Sequence, residues 1–157
     1  MATMKNPLDL SGFIQIAIIV EDIDKARHEW AEILGVPVPE IVEQPKPEGN
    51  IPCLTYRGRE ASYGLKLAVI HAPQGFILEL HQMTDECDST FREFVQKHGY
   101  GVHHLGFQVG ARRDTVVEEL ESRGYEMRTV GFYPGGSWTV ADTEDTLGVN
   151  LNIKPHP

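Results

Sequence analysis

Four polar side chains that could take part in binding or catalysis lie within apolar runs of the chain. They are Gln15, Glu79, His104 and Asn152. Burying a carboxylate such as Glu79 within Ile-Leu-Glu-Leu is costly unless it gains a cation, a proton or a hydrogen-bond donor. An imidazole, a carboxylate and two amides in one cleft would meet that need. The question is therefore which elements carry these residues and whether those elements bring them together.

Apolar and β-branched residues predict short strands joined by a few helices. The predicted strands are 13–20, 51–56, 64–71, 75–81, 102–109, 125–131, 137–141 and 148–154. One helix follows Asp22 and ends at Gly35, and another follows Asp114 and ends at Gly124. A third opens with a capping box at Thr90-Phe91-Arg92-Glu93 and ends at Gly99. The proline-rich segment 36–50 predicts a loop, or a loop with a short edge strand.

The element order is a βαβββ unit that occurs twice. Aligning Gln15 with His104 also aligns Gly35 with Gly124, so both helices end at the same point of the repeat. Aligning Glu79 with Asn152 matches the last strands. The chain is therefore predicted to be a single α+β domain, residues 1–157, with modules at 13–82 and 102–154 joined by a helical connection at 83–101. A pseudo-twofold between the modules would bring the four polar positions to one concave face.

The segments that carry these residues resemble the vicinal oxygen chelate superfamily. This superfamily includes glyoxalase I, methylmalonyl-CoA epimerase, extradiol dioxygenases and bleomycin-resistance proteins. The resemblance covers about residues 13–154 and lies in the runs Gln15-Ile-Ala-Ile-Ile-Val-Glu-Asp-Ile, Leu34-Gly35, Leu78-Glu79-Leu80, Gly101-Val-His-His-Leu-Gly-Phe107 and Gly148-Val-Asn-Leu-Asn-Ile153. The Gly-Val-His-His run and the spacing of the connecting helix are most similar to methylmalonyl-CoA epimerase.

The resemblance implies an open U-shaped barrel around a divalent ion. It places the metal ligands at Gln15, Glu79, His104 and Asn152, where the superfamily usually has His, Gln or Glu, His and Glu. Gln15 and Asn152 depart from that pattern. Two neutral amides among the ligands favour a weak site that suits Mg, Mn or Co better than tight tetrahedral Zn, within a possible set of Mn, Co, Mg, Ni, Zn or Fe. A bound metal and a metal-free site are both open at this point.

Two functions follow from the resemblance. The first is a metal-assisted isomerase or lyase that forms an enolate. The resemblance implies an acid and a base from a glutamate on an early strand and a carboxylate on the last strand. Here 49–56 contains no glutamate and the last strand has Asn152, which leaves Glu79 as the catalytic carboxylate. The second is a metal-free small-molecule binding protein of the bleomycin-resistance type. An extradiol dioxygenase needs two histidines and a carboxylate, and only His104 matches. The substrate would be an acyl-CoA, an oxoacid or an aromatic compound, contacted by Tyr56, His81, Tyr133 and Trp138.

Alternation along the strands assigns the neighbouring histidines. His81 shares the strand face of Glu79 and is predicted at the cleft rim, whereas His103 is predicted on the opposite face, with a structural role. Arg57, Arg59 and Lys66 are candidates for contacting a CoA group by their order along the chain.

The net charge of −9 disfavours nucleic acid or an anionic membrane as a partner. The two cysteines are too few for a disulfide framework, and the N-terminus lacks the apolar region of a secretory signal. The longest apolar run, 16–20, is too short to cross a membrane. A cytoplasmic protein is therefore expected, and the resemblance adds a homodimer.

Overall fold

The strands of the protein form one curled sheet with helices on both faces. The computed structural model describes residues 6–44, 53–133 and 136–156. Within these ranges the elements are β1 (Phe13–Ile19), α1 (Ile23–Leu34), β2 (Val42–Gln44), β3 (Cys53–Tyr56), β4 (Arg59–Glu60), β5 (Leu65–His71), β6 (Ile77–Met83), α2 (Thr90–His98), β7 (Gly101–Gln108), α3 (Arg113–Ser122), β8 (Met127–Tyr133), β9 (Gly136–Ala141), α4 (Glu144–Leu147) and β10 (Asn150–Lys154).

The sheet has the order β2-β5-β6-β1-β7-β10-β9-β8-β3-β4. The first strands of the two halves, β1 and β7, pair antiparallel at its centre. On either side the last strand of each half pairs parallel with the first, as β6 does with β1 and β10 with β7. This arrangement matches the predicted α+β class with two related halves in an open curled sheet, and it confirms that prediction.

One strand lies in a different place from the one predicted. Strand β3, assigned to the first module from its position in the chain, pairs antiparallel with β8 of the second half. The two halves also meet where the Tyr63 hydroxyl lies 3.2 Å from Oγ1 of Thr129. The far ends of the curled sheet are therefore held close to each other. Residues 51–52 of the predicted strand lie outside the described ranges.

The helices begin and end close to their predicted positions, with two corrections. Asp22 caps α1, and Gly35 ends it in the left-handed conformation with φ of 67°. Helix α2 is capped by Ser89, whose side chain accepts from the Arg92 N–H, so the predicted capping box at Thr90 is wrong. Asp114 lies inside the first turn of α3 and does not cap it. The short helix α4 was not predicted.

The helices distribute the apolar core over both faces of the sheet. Helices α1 and α3 cover the convex face through separate clusters around Ile23 and Val116. Helix α2 lies against the concave face, where Phe91 and Phe94 pack with Ile19. It therefore fills one end of the concave face and leaves the other end to the polar residues. None of the helices in the described ranges is long and apolar enough to span a membrane.

Candidate functional site

The four polar residues singled out in the sequence meet on the concave face. The β1–β7 and β7–β10 registers pair Gln15 with Gly106 and Gly106 with Asn152. In the adjacent row, Ala17 pairs with both Glu79 and His104. Nε2 of Gln15 donates to Oε2 of Glu79 at 2.5 Å. The four side chains come from four adjacent strands, β6, β1, β7 and β10. They point to one face of the sheet because side chains alternate between the two faces along each strand.

Amide groups join these residues into one network. Nδ2 of Asn152 lies 3.5 Å from Oε1 of Gln15 and 3.4 Å from Nε2 of His104. Oδ1 of Asn152 accepts from the backbone N–H of Thr139 at 3.2 Å. Both amides are buried, so these contacts replace hydrogen bonds that water would otherwise provide.

Gly106 makes room for Gln15. A Cβ atom at this position would lie 2.3 Å from Oε1 of Gln15 and 2.6 Å from its Cβ, much closer than real contacts allow. The Gln15 side chain therefore lies across the β7 backbone on its way to Glu79. The glycine is required here for space, since its backbone conformation is open to other residues.

We expect the substitution Gly106→Ala to destabilise the fold by about 1–3 kcal/mol, the usual cost of overpacking a buried site. The added methyl would displace Gln15 from Glu79. Urea unfolding measures the loss, and the same change in a Gln15→Ala background, which lacks the clashing side chain, should cost much less. An unchanged midpoint in Gly106→Ala would show that Gln15 can move aside freely.

His81 lies in the interior and not at the predicted rim. It is 4% exposed, its ring stacks on Phe91 with centroids 5.2 Å apart, and Nε2 lies 2.7 Å from Oε1 of Glu79. This ion-pair contact is off the direction of a ring N–H. Neither ring nitrogen has an aligned hydrogen-bond partner among the residues described. His81 therefore keeps unused hydrogen-bonding capacity beside the carboxylate.

The electrostatic surroundings keep Glu79 ionised. Burial by itself would raise its pKa, but the charge and contact of His81 act against this, as do the charge of Lys154 and the hydrogen bond from Gln15. The result is a pKa below the ordinary value for glutamate. At neutral pH Glu79 is therefore a carboxylate.

His103 and His104 lie on the same face, which corrects the prediction that His103 faces the other way. Strand β7 pairs His104 with Ala17 and Val102 with Ile18, so His103 is an extra residue in a β-bulge. The two Nδ1 atoms lie 2.8 Å apart, and Nε2 of His103 lies 3.1 Å from Oγ1 of Thr90. His103 joins His104 to helix α2.

Both of these imidazoles are held neutral. Burial lowers the pKa of His103 to about 3, with the charges of His81 and Arg128 acting in the same direction. Burial also lowers the pKa of His104 well below its ordinary value. A neutral His104 has one ring nitrogen free to accept a hydrogen bond, and Nε2 faces the Asn152 amide.

Lys154 is a residue of the site that sequence reasoning missed. It follows Asn152 by two positions on β10 and so shares its face of the sheet. Its charge acts on both Glu79 and His104, and burial lowers its own pKa. The alternation Asn150, Asn152, Lys154 was the available signal. It was missed because lysine at a strand end usually extends into solvent.

The aromatic and cationic residues predicted to contact a substrate lie in different parts of the structure. Trp138 lies against Gly131, where an added Cβ would meet the indole at 2.2 Å. The Tyr56 hydroxyl donates to Glu93 at 2.8 Å and so points toward α2. For Tyr133 the side chain lies outside the description. Lys66 lies near the start of α1, away from the concave face.

Arg57 is already occupied by carboxylates. Its guanidinium donates to Glu93 at 2.5 Å and to Glu126 at 3.1 Å. Arg59 lies on the exposed strand β4. Of the three residues suggested for a CoA group, Arg57 would have to break ion pairs before it could bind a phosphate.

The donor set does not fit a tightly held divalent ion. No group of three or more His, Cys, Asp or Glu side chains that could hold a metal occurs in the described ranges. Of the four predicted ligands only Glu79 carries a negative charge, and its Oε2 accepts a hydrogen bond from Gln15. The nearby ammonium of Lys154 would also repel a divalent cation.

Comparisons with known proteins agree with this fold. A sequence model of the Glyoxalase/Bleomycin resistance protein/Dioxygenase superfamily matches residues 14–141. The chain belongs to this superfamily, which confirms the resemblance seen in the sequence. No curated protein sequence matches it.

Solved structures with this fold include epimerases. Methylmalonyl-CoA epimerase from Mycobacterium tuberculosis superposes with a TM-score of 0.62 at 20% identity, covering 98% of this chain and 94% of that one. A hypothetical protein, BH1468 from Bacillus halodurans C-125, gives 0.61 at 18%, covering 90% and 91%. A variant of Streptomyces coelicolor methylmalonyl-CoA epimerase, in complex with 2-nitronate-propionyl-CoA, gives 0.57 at 19%, covering 93% and 97%. At these identities the likeness concerns the fold.

Proposed function

We propose that this protein is an isomerase or lyase that removes a proton from a carbon next to a carbonyl group. The observation that carries the proposal is Glu79, an ionised carboxylate on the concave face between Gln15 and His81. Glu79 is partly exposed, whereas Gln15, His104 and Asn152 are buried. Glu79 is the group of this set that a substrate can reach.

The proposed step is a proton transfer. The Cα–H bond of the substrate breaks, the proton moves to a carboxylate oxygen of Glu79, and the electron pair moves to the carbonyl oxygen, giving an enolate. Returning a proton to carbon gives an isomer, and expelling a leaving group from the next carbon gives a lyase product. Gln15 orients the carboxylate by donating to Oε2.

The proposal does not depend on a metal ion. We expect protein purified without a metal-affinity tag to carry less than stoichiometric Mn, Co, Mg, Ni, Zn or Fe by elemental analysis. We also expect its melting temperature to stay unchanged when these ions are added, because a bound ion would raise it. Stoichiometric metal that is lost in Glu79→Ala would instead support the metal-assisted reaction implied by the sequence resemblance.

Hydrogen–deuterium exchange tests the reaction. The protein is incubated in D₂O with methylmalonyl-CoA, with propionyl-CoA and with the hemithioacetal of methylglyoxal and glutathione, and loss of the α-proton is followed by NMR. We expect exchange with at least one compound, reduced about 10²- to 10⁴-fold in Glu79→Gln, the usual contribution of a positioned base.

The control is Glu43→Gln, which changes an exposed glutamate on the edge strand β2. It should exchange at the rate of the unsubstituted protein. Equal rates in Glu79→Gln and the unsubstituted protein would rule out Glu79 as the base. No exchange with any of the three compounds would overturn the proposal that the protein acts on substrates of these kinds.

A second function is favoured by the closed amide network. Gln15, Asn152 and His104 already satisfy one another, and Trp138 offers an aromatic surface near the same face. A protein that only binds a small molecule, without a metal, would need no catalytic group beyond these residues. Saturable binding of a small aromatic ligand, seen by tryptophan fluorescence and accompanied by no α-proton exchange, would select this function over the first.

A further inference from the structure

The orientation of the Asn152 amide on the concave face is determined by the backbone of a neighbouring strand. The Thr139 N–H can only donate, so the Asn152 atom that it contacts at 3.2 Å is the carbonyl oxygen Oδ1. The amide nitrogen Nδ2 therefore points the other way, where it lies 3.4 Å from Nε2 of His104 and 3.5 Å from Oε1 of Gln15. An amide N–H₂ group has two hydrogens and acts only as a donor, so it can donate to both atoms.

The Asn152 amide determines which nitrogen of His104 carries a hydrogen. Because Nε2 faces a donor, it must be the nitrogen with the free lone pair, and the ring hydrogen lies on Nδ1. A charged ring would place an N–H against the Asn152 N–H₂, so this contact also requires His104 to be neutral. Burial, which lowers the pKa of the His104 ring, acts in the same direction.

The order of the hydrogens continues from His104 to His103. Their Nδ1 atoms lie 2.8 Å apart, so one of them donates and the other accepts. Since Nδ1 of His104 carries the hydrogen, Nδ1 of His103 is the acceptor, and the hydrogen of the neutral His103 ring lies on Nε2. That nitrogen lies 3.1 Å from Oγ1 of Thr90, which accepts from it.

Asn152 is also the donor of a second branch, which leads to Glu79. Oε1 of Gln15 accepts from Asn152, while Nε2 of Gln15 donates to the Glu79 carboxylate. If the Asn152 amide were reversed, Gln15 would have to turn its N–H₂ toward Asn152 and its carbonyl oxygen toward Glu79. Two oxygens would then face each other without a hydrogen between them and would repel. The orientation of Gln15 therefore depends on that of Asn152.

We propose that His104, His103 and Thr90 form a chain with one fixed order of hydrogens, which anchors the Asn152 amide. This anchoring aims the N–H₂ of Gln15 at the carboxylate that serves as the base. The members of the chain are positioning residues, a role that rests on the proposed function, whereas the order of the hydrogens does not rest on it. Both histidines contribute through their tautomers and not through a charge, since both nitrogens of each ring are already engaged.

¹⁵N NMR of the histidine rings tests this order in the unsubstituted protein, without any substrate. The spectra are recorded at about pH 7.5, above the ordinary histidine pKa, and each ring is assigned by correlation to its own backbone. We expect His104 to carry a hydrogen on Nδ1 alone and His103 to carry one on Nε2 alone. A hydrogen on Nε2 of His104, or on Nδ1 of His103, would overturn the proposal.

Asn152→Asp replaces the donating N–H₂ with an accepting oxygen and should change the state of His104. Nε2 of His104 should gain a hydrogen, because a hydrogen shared with a carboxylate lies on the imidazole, the group of higher ordinary pKa. Asn6→Asp makes the same change at an exposed position and should leave both rings unchanged. A His104 ring that still lacks a hydrogen on Nε2 in Asn152→Asp would overturn the proposal. If this variant does not fold, the spectrum of the unsubstituted protein decides.

Thr90→Val tests the positioning role, because it removes the last acceptor of the chain without a change at the base. Thr90 is fully buried. We expect the kcat of α-proton exchange to fall about 10-fold with KM unchanged, since a misplaced base slows the transfer without weakening substrate binding. Thr90→Ser restores the hydroxyl and should recover most of the lost rate. An unchanged kcat in Thr90→Val would contradict the positioning role.

The outcomes separate this inference from the proposed function. The expected ring hydrogens without α-proton exchange would support the ordered chain and contradict the proton-abstraction reaction. Exchange that depends on Glu79, in a protein whose histidines carry their hydrogens on the opposite nitrogens, would support the reaction and contradict the chain.

Discussion

Replacing Arg128 with methionine should lower the free energy of unfolding by about 3–5 kcal/mol, the cost of leaving buried charges without their partner. The Arg128 side chain is 4% exposed. Its guanidinium lies 3.0 Å from Oδ1 of Asp142, 3.2 Å from Oε2 of Glu144 and 3.9 Å from Oε2 of Glu93. Methionine would fill most of the volume and remove the charge that lies between three carboxylates.

The effect should be large because Glu144 is as buried as Arg128. Its side chain is also 4% exposed. Burial alone would raise the Glu144 pKa, but hydrogen bonds from His98 and Asn150 and the charge of Arg128 bring it to about 2. Without Arg128, Glu144 would still contact Asn150 at 2.9 Å, His98 at 3.1 Å and Lys97 at 3.3 Å. Lys97 and His98 are far more exposed than Arg128, so Glu144 would have lost the cation whose side chain is as buried as its own.

Urea unfolding of a double-mutant cycle measures this coupling. Arg128→Met, Glu144→Gln and the double variant should show non-additive losses, with the double variant more stable than the sum of the two single changes. Arg59→Met, on the exposed strand β4, should change the stability by no more than about 0.5 kcal/mol. Additive losses in the cycle would show that the two side chains stabilise the fold independently.

This ion-pair cluster explains part of what sequence reasoning could not foresee. It joins Glu93 of α2 and Arg128 of β8 to two carboxylates that follow β9, Asp142 and Glu144. In sequence they look like ordinary surface charges. Glu93 appeared as the last member of a capping box, yet its side chain reaches Arg57 and Tyr56. Such contacts depend on how the elements pack, and local patterns do not contain that information.

The convergence of Gln15, Glu79, His104 and Asn152 was predictable because it needs only strand alternation and a repeated unit. The orientation of His103 was not, because a β-bulge adds one residue and interrupts the alternation. Whether a strand bulges depends on its neighbour, here β1. The position of β3 next to β8 was missed for a related reason, since chain order does not fix which edge a strand joins.

The buried pair His103 and His104, at the β-bulge of β7, should make the stability of the fold sensitive to mild acid. In the unfolded chain His103 would titrate near its ordinary value of about 6.5, whereas in the fold burial lowers its pKa to about 3. Between these values the unfolded state binds the extra proton. The contribution of neutral His103 to the free energy of unfolding is therefore fully present above about pH 6.5. It is lost progressively as the pH falls toward 3.

The slope should be steep enough to measure. One histidine with this shift lowers the free energy of unfolding by about 1.4 kcal/mol for each pH unit below its unfolded pKa. His104 adds a loss in the same direction, since its pKa is also depressed. The two rings are in contact and titrate as a pair. For a total stability of about 5–15 kcal/mol, this loss would bring unfolding within reach near pH 4–5.

The window from pH 6.5 down to about 4.5 separates the histidines from the carboxylates. Glu79 and Glu144 also have lowered pKa values, so their contribution is lost only below the ordinary pKa of glutamate. Unfolding by urea at half-unit steps of pH should therefore show a histidine slope in that window. His103→Phe keeps an aromatic ring against Phe91 and Phe94 and should reduce the slope by about 1.4 kcal/mol per pH unit.

His28→Gln is the control for this experiment, because the His28 side chain is 56% exposed. The variant should keep the slope of the unsubstituted protein. A flat stability between pH 6.5 and 4.5 would mean that the paired histidines are protonated inside the fold. An unchanged slope in His103→Phe would assign the acid sensitivity to other groups. The expected result would instead show that the bulge which turns His103 toward α2 also limits the pH range of the fold.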